Sequence, residues 1–206
     1  MIGAVIPAAG RSRRMGTQKL LLPWGESSLI AHVVDQVRES VVERICVVVG
    51  RDGEAIAQEL SGRRLAGLRA RGHERPLLFV TSPEADSEML DSVRLGLRAL
   101  PEGCEAILVA LGDQPGITST LIDEMVRAWR VSGKGIVVPR YGGRRGHPLL
   151  FSAHYCEAVL TGHDETGLRG LVQDHAEDLH EVDVATPAVL SDIDRPEDYR
   201  RALEAR

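Results

Sequence analysis

The 206-residue chain lacks most features that mark secreted, membrane-spanning or metal-cluster proteins. Phe, Trp and Tyr make up only 3% of it, so a core must be built mainly from Ala, Val, Leu and Ile. The three cysteines form no C-x-x-C pair, which argues against a disulfide framework or structural zinc and favours a cytoplasmic protein. No apolar run approaches the ~18 residues of a transmembrane helix.

A surplus of positive charge is also missing. Lys and Arg number 25 against 30 Asp and Glu, which gives a formal net charge of -5. No basic patch is interleaved with aromatic residues, which argues against nucleic-acid binding. The N-terminus starts as a strand and runs into an arginine-rich loop, so it is unlike a signal peptide. We expect a single domain over residues 1–206, with neither nucleic acid nor membrane as partner.

Short runs of Val, Ile and Leu recur along the chain and predict strands buried on both faces. These runs cover residues 2–6, 45–49, 77–81, 107–111 and 136–139. Amphipathic helical patterns lie between them. The alternation predicts a three-layer α/β fold, with helices on both faces of a mostly parallel, Rossmann-like sheet. Ligands of such sheets bind beyond the carboxyl ends of the strands, after Ile6, Leu111 and Pro139 here.

Three stretches interrupt this pattern. Residues 61–75 are rich in Arg and Gly, which predicts a surface excursion. Residues 141–151 and 154–175 mix turn residues with short apolar pieces, which predicts insertions. Cys46 lies within a predicted strand and is expected to be a buried small apolar residue.

The loop after the first predicted strand is basic. Ala8, Ala9 and Gly10 form a small-residue turn, and four cations follow with no acidic residue among them: Arg11, Arg13, Arg14 and Lys19. Glycine lets backbone N–H groups approach an anion, which the cations then neutralise. The loop has no Walker-type ending and no Rossmann glycine spacing. On the residues alone, a phosphate site and an ordinary basic loop both stay open.

Asp113 directly follows the apolar run at 107–111 and precedes Gln114-Pro115. A carboxylate at the carboxyl end of a strand is well placed for Mg²⁺, which takes one or two carboxylates plus phosphate oxygens. The alternative is a simple turn, because Asp and Pro often end strands.

Six ordered motifs carry a family resemblance that covers almost the whole chain. They read A-A-G-x-S-x-R-M-G-x-x-K at 8–19, L-P-W-G then S-L-I at 22–30, M-L-x-S-V-x-x-G-L at 89–97, G-D-Q-P at 112–115, G-H-P at 146–148 and D-I-D-x-P-E-D at 192–198. The chain resembles the small-molecule nucleotidyltransferases, in particular the MobA-like group. Within that group it is most similar to the molybdenum cofactor cytidylyltransferases.

The resemblance implies transfer of CMP from CTP to the phosphate of a molybdopterin-type acceptor, with release of pyrophosphate. It also implies dependence on magnesium, and a molybdoenzyme or its chaperone as a further partner. Two alternatives stay open. One is a cytidylyltransferase for a sugar or alcohol phosphate, and the other is a non-catalytic carrier of nucleotide or pterin.

The resemblance also implies roles for single residues. Lys19 and Arg14 are expected to bind the triphosphate and, with Asp113, to form the catalytic set. Asp113 is the expected magnesium ligand. The second protein ligand of the magnesium ion is Asp192 or Asp194, and the distance to Pro196 favours Asp192. The alternative for Asp194 is that it only caps the last helix.

The base and the acceptor have their own candidates. Ala8, Ala9 and Gly10 are expected to contact the nucleotide, and Ser92 to lie on a helix near the base. The Ala8-Ala9 pair is typical of cytidylyl-transferring members, whereas guanylyl-transferring relatives tend to have Leu-Ala-Gly-Gly. His147 and Arg145 are the expected acceptor ligands, although lone histidines are usually structural or at the surface.

Overall fold

The computed structural model describes residues 1–10, 12, 15–61, 76–83 and 88–204. Arg14, expected to bind phosphate, lies outside these residues, as do Arg11 and Arg13. Most of the predicted surface excursion, residues 62–75, is also outside them. Within the described part of the chain, no helix is long and apolar enough to cross a membrane.

Ten strands and seven α-helices follow one another along the described chain. The strands are β1 (Ile2–Ala8), β2 (Pro23–Trp24), β3 (Ser27–Ser28), β4 (Arg44–Val49), β5 (Leu77–Thr81), β6 (Ala106–Val109), β7 (Ile136–Tyr141), β8 (Arg144–Arg145), β9 (Leu149–Ser152) and β10 (Leu179–Asp183). The helices are α1 (Leu29–Glu39), α2 (Glu54–Ser61), α3 (Met89–Ala99), α4 (Ser119–Ser132), α5 (Cys156–Thr161), α6 (Leu168–Asp174) and α7 (Pro196–Glu204).

One mixed, mostly parallel sheet forms the centre of the molecule. Its order is β10-β7-β9-β6-β1-β4-β5, with β8 paired to β7, while β2 and β3 form a separate hairpin. Strands β6, β1, β4 and β5 run parallel, as do β7 and β10, whereas β9 is antiparallel to both of its neighbours. The predicted mostly parallel sheet is confirmed, and all five predicted strands are present.

The insertion predicted at 141–151 is wrong. Its second half is β9, whose Leu149, Leu150 and Phe151 are buried between β6 and β7. The turn residues in front of β9 belong to the connection that reverses the chain direction. The predicted insertion at 154–175 is also wrong, because Val159, Leu168 and Leu171 of α5 and α6 are part of the core.

Alternating residues of the strands separate the core into two layers, which confirms helices on both faces. In β1, Ile2, Ala4 and Ile6 pack in the layer that contains α1 and α4, while Val5 packs against α3. Cys46 lies in this second layer, is fully buried, and has its thiol pKa raised to about 11 by burial. It is thus an apolar core residue, as predicted.

Helix α3 approaches β1 closely at Gly96. A Cβ atom at this position would overlap the side chain of Val5. The helix is anchored at its start by a capping box, in which the Glu88 backbone N–H donates to Asp91 Oδ2 at 3.0 Å.

Gly96→Ala should therefore destabilise the protein by ~1–3 kcal/mol, the usual cost of overpacking. The sign of the change in the free energy of unfolding is informative. At an exposed helix position, replacing glycine by alanine would stabilise the helix by up to ~1 kcal/mol. Urea unfolding measures the free energy of unfolding of this variant and of Arg98→Ala. Arg98 is an exposed control on the same helix, and its variant should stay within ~0.5 kcal/mol of wild type. A Gly96→Ala variant as stable as wild type would contradict the close packing.

Candidate active site at the carboxyl edge of the sheet

Ser12 organises the loop that follows β1. Its backbone φ is 50°, in the left-handed region that non-glycine residues seldom occupy. Its carbonyl accepts the Met15 N–H at 2.9 Å, and its Oγ accepts the Lys19 N–H at 3.1 Å while donating to Gln18 Oε1. No role of Ser12 is predicted from the sequence, although serine is a typical turn-forming residue. These bonds fix the backbone from which the Lys19 side chain extends.

Lys19 joins two carboxylates from distant parts of the chain. Its Nζ donates to Asp113 Oδ2 at 2.6 Å and to Asp194 Oδ1 at 2.8 Å. The Lys19 side chain is 13% exposed and that of Asp113 19%, while Asp194 is more open at 40%. Burial alone would lower the pKa of Lys19, but the two carboxylates outweigh it and raise that pKa. Lys19 is therefore a charged ammonium throughout the neutral pH range.

The fold brings these three residues together at the carboxyl edge of the sheet. Strands β1 and β6 are adjacent and parallel, so the loops bearing Lys19 and Asp113 leave the same edge. Asp194 is placed by Ile193, whose N–H donates to the Asp113 carbonyl at 3.0 Å. The side chain of Ile193 is buried with Trp24 and Leu29.

A turn at Pro187–Leu190 holds two further loops of the site. Gly116 faces Ala188, and Gly146 faces the Val189 carbonyl, so closely that neither glycine has room for a Cβ. The same Val189 carbonyl accepts the His147 N–H at 2.9 Å. The G-H-P motif contains Gly146, whereas Gly116 lies directly after the G-D-Q-P motif. Only the packing explains why a side chain is excluded at both positions.

His147 and Gln114 have buried polar atoms near this cluster. Within the described residues, His147 Nδ1 and Gln114 Oε1 have no hydrogen-bond partner. Burial lowers the pKa of His147, although the negative charges of Asp113 and Asp192 partly oppose this effect. His147 is therefore neutral at pH 7 and can offer a ring nitrogen to a ligand.

Asp194 lies beside Lys19, although the distance to Pro196 favoured Asp192, and the identity of the second metal ligand stays a prediction. Asp194 contacts Lys19, whereas Asp192 is exposed and its charge acts on His147. The two acids flank the buried Ile193, and this packing decides which of them faces Lys19. Pro196 is the first residue of α7, and the Asp198 carboxylate accepts the backbone N–H groups of Asp194 and Arg195.

The nucleotide candidates lie at the mouth of the loop and on α3. Ala8 is buried, Ala9 is half-buried, and a Cβ at Gly10 would meet no atom of the described residues within 4 Å. Ser92 is buried on α3. Arg145 lies elsewhere, on the exposed strand β8, where its Nε donates to Glu181 at 2.6 Å.

The donor set fits a magnesium or manganese ion that is shared with a substrate. Asp113 and Asp194 direct one carboxylate oxygen each to the same point, and carboxylate oxygen is the ligand that these hard cations prefer. Among the described residues, no group of three or more His, Cys, Asp or Glu could hold a metal alone. The remaining ligands would therefore come from phosphate oxygens and water.

Comparison with known proteins agrees with this geometry. Residues 4–180 match the model of the MobA-like NTP transferase domain. The chain belongs to the MobA-like NTP transferase family. It is 25% identical over 205 residues to the molybdenum cofactor cytidylyltransferase of Escherichia coli strain K12, which covers 98% of this chain and 96% of that protein.

Two solved structures show the same similarity over the full chain. A nucleotidyl transferase from Methanothermobacter thermautotrophicus has a TM-score of 0.82 at 25% identity, covering 100% of this chain and 97% of that one. Rv0371c from Mycobacterium tuberculosis H37Rv, in complex with manganese, has a TM-score of 0.75 at 26% identity, covering 100% and 99%. The MobA-like chain described here is thus a nucleotidyltransferase by family, with a nucleoside triphosphate as substrate class.

The buried position of His147 predicts a pH dependence of stability. Its pKa in the folded protein is below the unfolded value of ~6.5, so the unfolded chain takes up the proton first as the pH falls. Stability is therefore lost below about pH 6.5, by at most ~1.4 kcal/mol per pH unit from this group. Urea unfolding at pH 8 and pH 5.5 measures the free energy of unfolding. Between these two pH values it should fall less in His147→Gln than in wild type. Equal losses would contradict a buried neutral imidazole.

Proposed function

We propose that this protein transfers CMP from CTP to the phosphate of a molybdopterin-type cofactor and releases pyrophosphate. The observation that carries the proposal is the Lys19–Asp113–Asp194 cluster at the carboxyl edge of the sheet, where α/β folds bind nucleotides. The similarity to the E. coli cytidylyltransferase supports the general kind of reaction. The choice of CTP and of the pterin acceptor is our proposal, and so is a cytoplasmic location.

The chemistry requires positioning and charge neutralisation. A phosphate oxygen of the acceptor attacks the α-phosphorus of CTP, and the bond from that phosphorus to the α–β bridging oxygen breaks. Pyrophosphate leaves with the electron pair of that bond. The acceptor supplies its own nucleophile, so no covalent enzyme intermediate is needed.

Each charged residue has a separate part in this scheme. Lys19, with Arg14 from outside the described residues, would neutralise the triphosphate as a cationic contact. Asp113 and Asp194 would hold Mg²⁺, which supplies positive charge to the α-phosphate and to the leaving pyrophosphate. The manganese complex of the related Rv0371c supports a divalent cation in this family.

The acceptor would bind on the side of His147. Its ring Nδ1 is buried and lacks a partner among the described residues, so the acceptor would have to displace the residues that cover it to form a hydrogen bond there. Arg145 is engaged with Glu181, so it would reach an acceptor only after exchanging that ion pair. A molybdoenzyme or its chaperone would then receive the product. A carrier without catalysis would not need both Lys19 and Asp113.

The base preference is testable in the unmodified protein. Small side chains at Ala8 and Ala9 let the backbone approach the base, and unpaired polar groups in a dry pocket cost ~1–3 kcal/mol each. We expect CTP to be preferred over GTP by about tenfold or more in kcat/KM. Pyrophosphate release with purified molybdopterin cofactor and Mg²⁺ measures both triphosphates.

Ala9→Gly tests the same preference from the protein side. It imitates the guanylyl-type loop and should lower the CTP/GTP ratio more than total activity. Equal or better use of GTP by wild type would overturn the cytidylyl proposal. Activity with a sugar or alcohol phosphate but not with the pterin would replace the proposed acceptor.

Asp192 and Asp194 form a matched pair for testing the metal site. Asp194→Asn keeps the size of the side chain but removes the charge that faces Lys19, so we expect a loss of about a hundredfold in kcat/KM. High Mg²⁺ concentrations should partly restore the kcat/KM of Asp194→Asn. Asp192→Asn, two residues away and exposed, should lose less than about tenfold. The reverse order of effects would restore Asp192 as the second ligand.

A further inference from the structure

We propose that Lys19 keeps the divalent-cation site closed until a triphosphate binds, so that the metal enters only together with the nucleotide. This inference rests on the proposed function and concerns the order of binding at the same site. The geometry supplies the first argument. Lys19 Nζ lies 2.6 Å from Asp113 and 2.8 Å from Asp194, so it occupies the point to which both carboxylates direct an oxygen.

An ammonium at this point and a metal ion at the same two oxygens exclude each other. They would compete for the same oxygen lone pairs, and their like charges would repel at short range in a partly buried site. Without a nucleotide, a divalent cation must therefore displace Lys19 with nothing to receive its charge. The protein alone should bind the cation weakly for this reason.

A triphosphate removes this obstacle because it offers the ammonium new partners. The backbone of Lys19 is held by the Ser12 Oγ, so the movement is confined to its flexible four-carbon side chain. The site is accessible from the side of Asp194, whose side chain is 40% exposed. Lys19 would turn to the phosphate oxygens and withdraw from both carboxylates, whose oxygens could then bind the metal.

The composition of the chain gives an independent argument. It contains 23 arginines but only two lysines, Lys19 and Lys134, so lysine at this position departs from the strong arginine preference elsewhere. An ammonium is a compact point charge, similar in form to a metal ion, whereas a guanidinium is a planar fork. Lysine is thus the side chain that can take the place of a cation between two carboxylates.

Metal binding without nucleotide tests the proposal directly. Mn²⁺ titration monitored by electron paramagnetic resonance would compare wild type with Lys19→Met and with Lys134→Met. Lys134 is a matched control, because it is exposed and donates to the Glu177 carbonyl. We expect Lys19→Met to bind one Mn²⁺ at least about tenfold more tightly than wild type, with Lys134→Met unchanged. The gain should vanish in Lys19→Met/Asp113→Asn, and equal affinity in wild type and Lys19→Met would overturn the proposal.

A second measurement uses the wild-type protein and does not depend on how Lys19→Met folds. With lysine as the only labelled residue, NMR gives two side-chain signals, which Lys134→Arg assigns. Mg²⁺ alone at millimolar concentration should leave the Lys19 signal in place, and Mg²⁺ with a non-hydrolysable CTP analogue should move it. Movement with Mg²⁺ alone, or none with the nucleotide bound, would contradict the proposed order.

The two proposals fail in different ways. If Lys19→Met gains Mn²⁺ affinity but wild type releases no pyrophosphate from CTP with any acceptor, the proposal that Lys19 closes the metal site is supported. The proposed reaction is then contradicted. If wild type turns over CTP while Lys19→Met gains no Mn²⁺ affinity, the proposed reaction is supported and the proposal that Lys19 closes the metal site is contradicted.

Discussion

The ion cluster of Lys19 with Asp113 and Asp194 is the interaction on which the rest of the site depends. Its partners lie 94 and 175 positions from Lys19 in the sequence, so the fold must bring three loops to one point. The parallel pairing of β1 and β6 aligns the first two loops. The C-terminal segment supplies the third through the bond from Ile193 to Asp113. Loss of any of these contacts would separate the charges.

The cluster also imposes an electrostatic constraint. Two carboxylates that share one point repel each other unless a cation lies between them. In the protein alone this cation is Lys19, and in the proposed working state it is the metal. The constraint explains why a site built for nucleotidyl transfer contains a lysine that bonds to its own carboxylates. In the proposed reaction it would also link phosphate binding to metal binding through a single side chain.

Much of this fold follows from local patterns in the sequence. The buried strands were predictable because each is a short apolar run, and Asp113 because it follows one of them. The start of α7 was predictable from Pro196, which suits the first turn of a helix. The comparisons confirm the family that the motifs indicated. The roles of the single site residues stay predictions.

Other features could not be predicted because they depend on contacts between distant segments. The strand β9 is a short apolar piece among turn residues, and only its neighbours reveal it as a central strand. The position of Asp194, rather than Asp192, beside Lys19 depends on the packing of Ile193. The exclusion of side chains at Gly116 and Gly146 depends on the turn at Pro187–Leu190. None of these long-range contacts has a periodic pattern.

The most direct test of the central claim is a crystal structure with a non-hydrolysable CTP analogue and Mn²⁺, with the metal located by anomalous scattering. The account predicts a manganese peak at ~2.0–2.3 Å from carboxylate oxygens of Asp113 and Asp194. Lys19 Nζ should then lie on the phosphates, with the base beside Ala8 and Ala9. A nucleotide bound elsewhere, or a Lys19 that still joins both carboxylates beside the bound nucleotide, would contradict it.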